Sequence, residues 1–115
     1  MISDEDIFFA EIVYIFSIKK DFSNSDIRDI LCVADIDHFI KYGRTINDLF
    51  IKNKKYKFDF KILNKILDER KEELKNLDYK KFLNCLSKSD IQCLDYAINR
   101  QEVDFYEFFY SIEKE

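Results

Sequence analysis

The sequence predicts a mainly α-helical fold, a compact bundle of about five helices around a central buried helix, in a single domain spanning residues 1–115. The 115 residues include one glycine and no proline, so the usual turn residues of β architectures are nearly absent. Apolar residues make up 47% of the chain and recur at three- and four-residue spacing along most segments. Ahead of two such segments a serine stands three residues before an aspartate, which is the spacing of a helix N-terminal capping box.

The first two predicted helices supply the core. The first should run from about Asp4 to Lys19 with Ser3 as its N-cap, and its apolar residues cover most of its circumference, so it should be largely buried. The second should begin at a cap on Asn24 or Ser25 and end near Tyr42. Its apolar residues occupy two opposite sides, which is typical of a central helix packed on both. One side holds Ile27, Ile30, Leu31, Ala34 and His38, and the other holds Cys32, Ile36, Phe39 and Ile40.

The second half of the chain predicts three further helices. A third helix is expected at about 60–77 with Asp59 as its cap, and a fourth opens at the SKSD box of Ser87 and Asp90 and ends near Arg100. A final short helix should follow Asp104. Between the second and third helices, residues 49–58 alternate loosely between apolar and polar, so a short strand or hairpin after Gly43 is left open.

The single glycine, Gly43, directly follows the expected end of the second helix. A helix commonly ends on a residue with left-handed backbone, which glycine adopts without the steric penalty that other residues carry. Gly43 is therefore predicted to be a helix C-cap.

Charge and hydropathy exclude several classes of protein. The net charge of −4 combines acidic ends with a mildly basic middle, densest in KNKKYK at 52–57, and this is too little clustered charge for a nucleic-acid partner. The longest apolar run is interrupted by Glu11, so no membrane span or membrane partner is expected. The acidic N-terminus is unlike a secretory signal, so we expect a cytoplasmic protein.

The three cysteines, Cys32, Cys85 and Cys93, do not form a CxxC pair and are odd in number. Neither a disulfide framework nor a zinc site is suggested by this spacing. Reduced thiols in the core are the expected state.

The chain carries no recognisable catalytic constellation. A Ser-His-Asp arrangement with a glycine elbow, a glycine-rich phosphate loop and an HExxH motif are all missing from the sequence. Asp35, Asp37 and His38 could suggest an acid–base cluster, but Asp35 and His38 are neighbours on a helix, so a histidine held by a local carboxylate is the simpler interpretation. We expect no enzyme, no catalytic residue, no metal and no cofactor.

Two blocks of the sequence resemble the Panacea domain family, also called SocA-like. The first is ILCVADIDHFIKYGRTIND, and the second is LSKSDIQCLDYAI, so the resemblance covers about residues 27–100. The Gly-Pro-Val segment that the family places after its short strand is missing, and the family's C-terminal extension is replaced by an acidic aromatic segment. The matching residues are Ala34, Asp35, His38, Phe39, Tyr42, Gly43, Arg44, Thr45, Ile46, Asn47 and Asp48, then Leu86, Ser87, Asp90, Ile91, Leu94 and Asp95.

The resemblance implies a function in protein binding. Members of the family act as antitoxins that neutralise varied toxins by binding them, and as adaptors that deliver a toxin to a protease, and the domain also occurs in phage genes. By resemblance, we expect the antitoxin of a toxin–antitoxin pair. Two alternatives stay open: a phage or mobile-element inhibitor that binds a host defence protein, and a protease adaptor. A homodimer is also left open.

The predicted partner-binding surface combines the end of the second helix with the acidic C-terminal segment. In VDFYEFFYSI the residues Phe105, Phe108, Phe109 and Ile112 suit a core stripe, whereas the tyrosines between them point elsewhere. Tyrosine is favoured at interfaces, although both tyrosines could instead cap the rim of the core. Acidic ends would suit a partner with a basic surface. The predicted binding residues are Tyr42, Arg44, Glu102, Tyr106, Glu107 and Tyr110, and the predicted structural residues are Gly43, Asp35, His38, Ser87 and Asp90.

Overall fold

The computed structural model describes residues 4–47, 51–52, 57–58 and 61–100, and within them the mainly helical prediction is confirmed. The helix expected after Asp104 lies outside the described residues. In chain order the elements are α1 (Asp4–Ile18), α2 (Asn24–Tyr42), strands β1 (Ile51–Lys52) and β2 (Lys57–Phe58), α3 (Lys61–Lys75), a 3₁₀ helix (Tyr79–Cys85) and α4 (Lys88–Asn99).

Helix α1 is buried on nearly all sides, as its apolar circumference predicts. It packs on α2, α3, α4 and the 3₁₀ helix. Burying apolar surface of this kind is the main favourable contribution to folding. Its buried residues are Phe8, Ala10, Glu11, Ile12, Val13, Ile15 and Phe16.

The N-cap of α2 is Ser23, which precedes both caps that the sequence suggested, Asn24 and Ser25. Ser23 Oγ accepts a hydrogen bond from the backbone N–H of Asp26, and the Asp26 carboxylate accepts one from the Ser23 N–H. Asn24 and Ser25 are also good capping residues, but only Ser23 has an acidic residue at the third helical position that completes the reciprocal box. The predicted cap on Asn24 or Ser25 is therefore wrong.

At its other end α2 stops at Gly43, which has a left-handed φ of 78°. The Gly43 N–H donates to the carbonyl of Phe39 at 2.8 Å, which satisfies one of the free carbonyls of the last turn. A Cβ built at this position would meet no atom within 4 Å, so the backbone angle alone favours glycine.

Only part of the second apolar side of α2 is covered. Cys32 and Ile36 are 1% exposed, whereas Phe39 and Ile40 in the last turn are 44% and 51% exposed. The expectation that this side packs along its whole length is therefore wrong at the C-terminal turn, where Phe39 and Ile40 stay half exposed. Phe39 and Ile40 therefore form an exposed apolar patch in the last turn before Gly43.

The remaining elements complete the bundle. Helix α3 is shorter than the expected 60–77 and places Leu63, Ile66, Leu67 and Leu74 in the core, while Asp59 lies outside the described residues. The short pairing that the sequence left open is present, since Ile51 pairs with Phe58 in antiparallel register. The 3₁₀ helix at Tyr79–Cys85 was not predicted.

Helix α4 opens at the predicted capping box and forms the most extensive helix pair with α2. Ser87 Oγ accepts from the Asp90 N–H at 3.1 Å, and Asp90 Oδ2 accepts from the Ser87 N–H at 2.8 Å. These two hydrogen bonds define the start of α4. Among the described helices, none is long and apolar enough to cross a membrane.

Candidate functional site

A cluster of buried polar residues joins α1, the C-terminal end of α2, the turn at 43–47 and the first turn of α4. Polar side chains lose hydration when they are buried, so each normally finds a partner inside the protein. Here hydrogen bonds connect α2, the turn and α4, and Glu11 reaches the same cluster from α1. The cluster contains Glu11, Asp35, His38, Asn47 and Asp90, all 5% exposed or less.

His38 is the centre of this cluster and is fully buried. Its Nδ1 lies 2.6 Å from the carbonyl oxygen of Arg44, and because a carbonyl can only accept, Nδ1 carries the proton and donates. Its Nε2 lies 2.9 Å from the Ser89 hydroxyl and 3.2 Å from Asp90 Oδ1. Both ring nitrogens are therefore engaged by the chain itself.

Asp90 links the start of α4 to the histidine. One oxygen, Oδ2, completes the capping box with Ser87, while Oδ1 faces His38 and lies 3.6 Å from Arg44 Nη2. The expected local pair of Asp35 and His38 is corrected to a long-range pair of Asp90 and His38. Asp35 lies one helical turn from His38, but its carboxylate accepts hydrogen bonds from the backbone of residues 46 and 47 beyond Gly43.

Asp35 closes that turn. Its Oδ1 accepts hydrogen bonds from the backbone N–H groups of Ile46 at 3.0 Å and Asn47 at 3.2 Å. Hydrogen bonds to an ionised acceptor are roughly twice as strong as neutral ones. Asp35 therefore ties residues 46 and 47 back onto the middle of α2 and fixes the path of the chain beyond Gly43.

Glu11 reaches the cluster from α1 and was not identified from the sequence, where it served only to interrupt an apolar run. Burial raises the pKa of its carboxyl well above the usual 4.5, and the nearby charges of Asp35 and Asp90 raise it further. The Asn47 amide lowers the pKa and offsets only part of this rise. Within the described residues no group stands at regular hydrogen-bond geometry to either Glu11 oxygen, so the site favours the neutral, protonated form. The signal was available, because an acid in the middle of a helix that is apolar all round is buried with it.

A fourth buried carboxyl group in the described residues, Asp37, lies beside the cluster. It pairs with Lys41, one turn along α2, at 3.1 Å. Desolvation by burial, followed by the charge of Asp37, raises the pKa of the Cys93 thiol to about 12. The protonated thiol is unreactive, which agrees with the free, reduced cysteines that the sequence suggested.

Two side chains leave the cluster for the surface. The Tyr42 ring lies 4.7 Å from the His38 ring at a tilt of 46°, its hydroxyl donates to Gln92 at 3.4 Å, and the residue is 50% exposed. The Arg44 side chain is 57% exposed although it donates to the carbonyl of Thr45 and pairs with Asp90. The Tyr42 ring thus contacts buried His38 directly, and the Arg44 guanidinium contacts Asp90, which faces the same histidine.

The structure brings together six of the residues singled out from the sequence. Asp35, His38, Ser87 and Asp90 lie inside the cluster or form its capping box, and Tyr42 and Arg44 stand at its surface. Glu102, Tyr106, Glu107 and Tyr110 lie outside the described residues. Sequence reasoning missed Glu11 and Ser89, and it named Asp37 only as part of a possible acid–base cluster. Among the described residues no group of three or more His, Cys, Asp or Glu side chains is arranged to hold a metal ion.

Comparison of the chain with protein-family models, with curated proteins and with solved structures finds no match. The resemblance to the Panacea family stays a prediction that rests on the two quoted sequence blocks.

Proposed function

We propose that this protein is a non-catalytic binding module that neutralises a partner protein, most simply as the antitoxin of a toxin–antitoxin pair. The observation that supports this function best is the pair of Tyr42 and Arg44, which are half exposed while anchored on the buried cluster around His38. Tyrosine and arginine are among the residues that most often dominate the binding energy of protein interfaces.

Anchoring matters because binding loses affinity when flexible side chains must be ordered, at roughly 0.5–1.5 kcal/mol for each one. The Tyr42 ring is already fixed by its contact with His38 and by its hydrogen bond to Gln92. Arg44 is held at both ends, since His38 binds its backbone carbonyl and Asp90 faces its guanidinium. Such a surface resembles one built in advance for a partner.

The buried cluster supports a scaffold role for His38 rather than an acid–base role. A general acid or base must reach the proton that it moves. His38 is fully buried, and its two ring nitrogens face Arg44, Ser89 and Asp90. These contacts account for its position without any substrate.

The charge of the chain indicates what kind of surface a partner would have. Residues 101–115 carry five acids against one lysine, and the N-terminal segment is also acidic, so a partner with a basic surface would be steered towards the protein. Steering acts mainly on the rate of association and weakens with salt. Arg44 would meet a carboxylate or a backbone carbonyl within that otherwise basic surface.

Growth rescue tests the proposal. Each protein encoded next to this gene is expressed in a heterologous host, and those that stop growth are co-expressed with the wild-type protein, with the Tyr42→Ala, Arg44→Ala double variant or with Arg28→Ala. Arg28 is the control because it is a partly exposed arginine at the opposite end of α2. We expect rescue by wild type and by Arg28→Ala, and loss of rescue by the double variant.

The alternatives predict different results. Toxicity that is relieved only as the partner is degraded would indicate a protease adaptor. Binding of a host defence protein, with no toxic neighbour, would indicate an inhibitor carried by a phage or mobile element. Rescue by the double variant as strong as by wild type would exclude the Tyr42 and Arg44 surface.

A further inference from the structure

One face of α4 carries a row of polar and basic residues along the whole helix. Lys88, Gln92, Tyr96 and Arg100 follow one another at four-residue spacing, so their side chains lie on the same face. Lys88, Gln92 and Arg100 are exposed, and Tyr96 is half-buried. With a rise of about 1.5 Å per residue the row is about 18 Å long, which is enough to bind a segment of another chain.

The end of α2 lies against this row. The Tyr42 hydroxyl donates to Gln92 Oε1 at 3.4 Å, and the Lys41 ammonium lies 4.9 Å from the centre of the Tyr96 ring. The Arg100 guanidinium lies 4.8 Å from the centre of the same ring, so one aromatic ring holds two cations. We call this surface the basic face, and its residues are Lys41, Tyr42, Lys88, Gln92 and Arg100.

Two acids lie next to the basic face, and neither is fully exposed. Asp37 pairs with Lys41 at 3.1 Å but is 6% exposed, so its charge lies beneath the lysine, whose side chain is 51% exposed. Asp95 is half-buried and accepts a hydrogen bond from the Tyr14 hydroxyl of α1. The basic face therefore presents three cations to solvent, although the whole chain has a net charge of −4.

The apolar patch at the end of α2 borders the basic face. Phe39 precedes Tyr42 by three residues and lies beside it on the helix, and Ile40 comes next in the chain. Exposed apolar surface next to polar residues usually marks a contact surface. A ligand that covers both parts must carry apolar groups as well as negative charge. A protein segment offers both, whereas the sugar–phosphate backbone of a nucleic acid offers only the charge.

We infer that the basic face binds an acidic, amphipathic segment of the partner protein. Asp or Glu side chains of that segment meet Lys41, Lys88 and Arg100, because carboxylates form charge-assisted hydrogen bonds with both types of cation. Apolar side chains of the segment cover Phe39 and Ile40. The existence of a partner rests on the proposed function, and the basic face adds the chemistry of the segment that this partner presents beside Tyr42.

Binding of synthetic peptides tests this charge preference without the natural partner. Two fluorescent peptides of equal length carry leucines at helical spacing, with glutamates between them in one and glutamines in the other. Their anisotropy is measured against the full-length protein at low salt. We expect the glutamate peptide to bind at least about tenfold more tightly, and its affinity to fall as salt is added. Equal affinities, or no binding of the glutamate peptide, would overturn the inference.

Two charge reversals of the same size locate the binding site. Lys88→Glu, Arg100→Glu is compared with Lys80→Glu, Lys81→Glu, a control on two exposed lysines of the 3₁₀ helix, which packs on α1. We expect the first pair to weaken binding of the glutamate peptide at least about tenfold, and the control to change it by less than about twofold. Equal losses would indicate a general effect of net charge and would overturn the inference.

NMR of the wild-type protein covers the case in which a charge-reversed variant fails to fold. The glutamate peptide should cause its largest backbone amide shifts at residues 39–44 and 88–100. Shifts confined to other residues would contradict the site.

A single-stranded oligothymidine is the competing ligand in the same NMR titration. Tighter binding of the oligonucleotide at the same amides would make this a nucleic-acid site and overturn the inference. Failure of the peptide tests leaves the growth-rescue result for Tyr42 and Arg44 unaffected, and failure of growth rescue leaves the peptide tests valid, so the two proposals can fail separately.

Discussion

The two ends of α2 are closed by different means. At the N-terminal end, Ser23 and Asp26 form a capping box at the surface, with hydrogen bonds of 3.0 and 3.1 Å. At the C-terminal end, Gly43 stops the helix, and Asp35 and His38 then tie it to the next turn and to α4. The first closure uses neighbouring residues only, whereas the second depends on residues from three segments, namely α2, the turn after Gly43 and α4.

The two capping boxes show the same contrast within one motif. Ser87 and Asp90 repeat the backbone geometry of Ser23 and Asp26 almost unchanged. Yet Asp90 is 5% exposed and uses its second oxygen for His38 and Arg44. The capping-box motif therefore predicts a helix start in both places. Its contribution to the stability of the fold depends on which groups the second oxygen of the aspartate contacts.

The largest expected loss of stability comes from replacing Asp90, compared with the equivalent residue of the first capping box, Asp26. Asp90→Ala removes one half of a capping box and also the carboxylate that faces buried His38 and Arg44, and leaving buried polar groups without a partner costs about 1–3 kcal/mol beyond the loss of the box. Asp26→Ala removes one half of a capping box at the surface and should cost about 1 kcal/mol or less. The free energy of unfolding in urea measures both. Equal costs would show that the position of the second box makes no difference.

The free energy of unfolding should also depend on pH through Glu11, which is buried in the cluster near the C-terminal end of α2. Its pKa in the folded protein lies above the unfolded value near 4.5, so the stability present below that pH is lost as the pH rises towards the folded pKa. Glu11→Gln cannot ionise and should gain stability relative to wild type as the pH increases from about 4.5. Urea midpoints between pH 4.5 and 8 check this, with exposed Glu69→Gln as the control. Parallel pH profiles for wild type and Glu11→Gln would contradict a buried, protonated Glu11.

A smaller effect is expected where the helix stops. Gly43→Ala places a Cβ on a left-handed residue and should cost on the order of 1 kcal/mol, or roughly 4–8 °C in melting temperature for a domain of this size. Gly43→Asn should cost less, because asparagine tolerates this conformation. A thermal melt of Gly43→Ala that matches wild type would refute the left-handed cap.

The smallest loss of stability is expected at the exposed N-terminal end of α2. Ser23→Ala removes one side-chain hydrogen bond from a solvated helix start and should cost about 0.5–1 kcal/mol. Ser87→Ala should cost more, because it also frees Asp90 to move away from His38. Thermal melts of both variants rank them, and a reversed order would mean that the cluster does not depend on its capping box.

The sequence predicted what neighbouring residues determine. Gly43 and the Ser87 box follow from local backbone preferences, and the burial of α1 follows from its apolar circumference. The start of α2 was misplaced by one residue because three consecutive polar residues can cap a helix, and only the reciprocal bond from Asp26 selects Ser23.

The candidate site was only partly predictable for a physical reason. The contact of His38 with Ser89 joins residues 51 positions apart, and no spacing rule connects them. Asp35 was assigned to His38 because helix neighbours are the only partners visible in a sequence, but the turn beyond Gly43 offers Asp35 two backbone donors. Glu11 joins the cluster from α1 through packing alone.

The central claim is that the C-terminal end of α2 presents a protein-binding surface and the N-terminal end does not. Calorimetric titration of the partner identified by growth rescue tests it most directly, with Arg44→Ala and Arg28→Ala as one matched pair of arginine variants. We expect Arg44→Ala to weaken binding at least tenfold, as hot-spot residues do by about 1.4 kcal/mol or more, and Arg28→Ala to leave the affinity unchanged. Equal affinities for wild type and Arg44→Ala, or a loss confined to Arg28→Ala, would contradict the account.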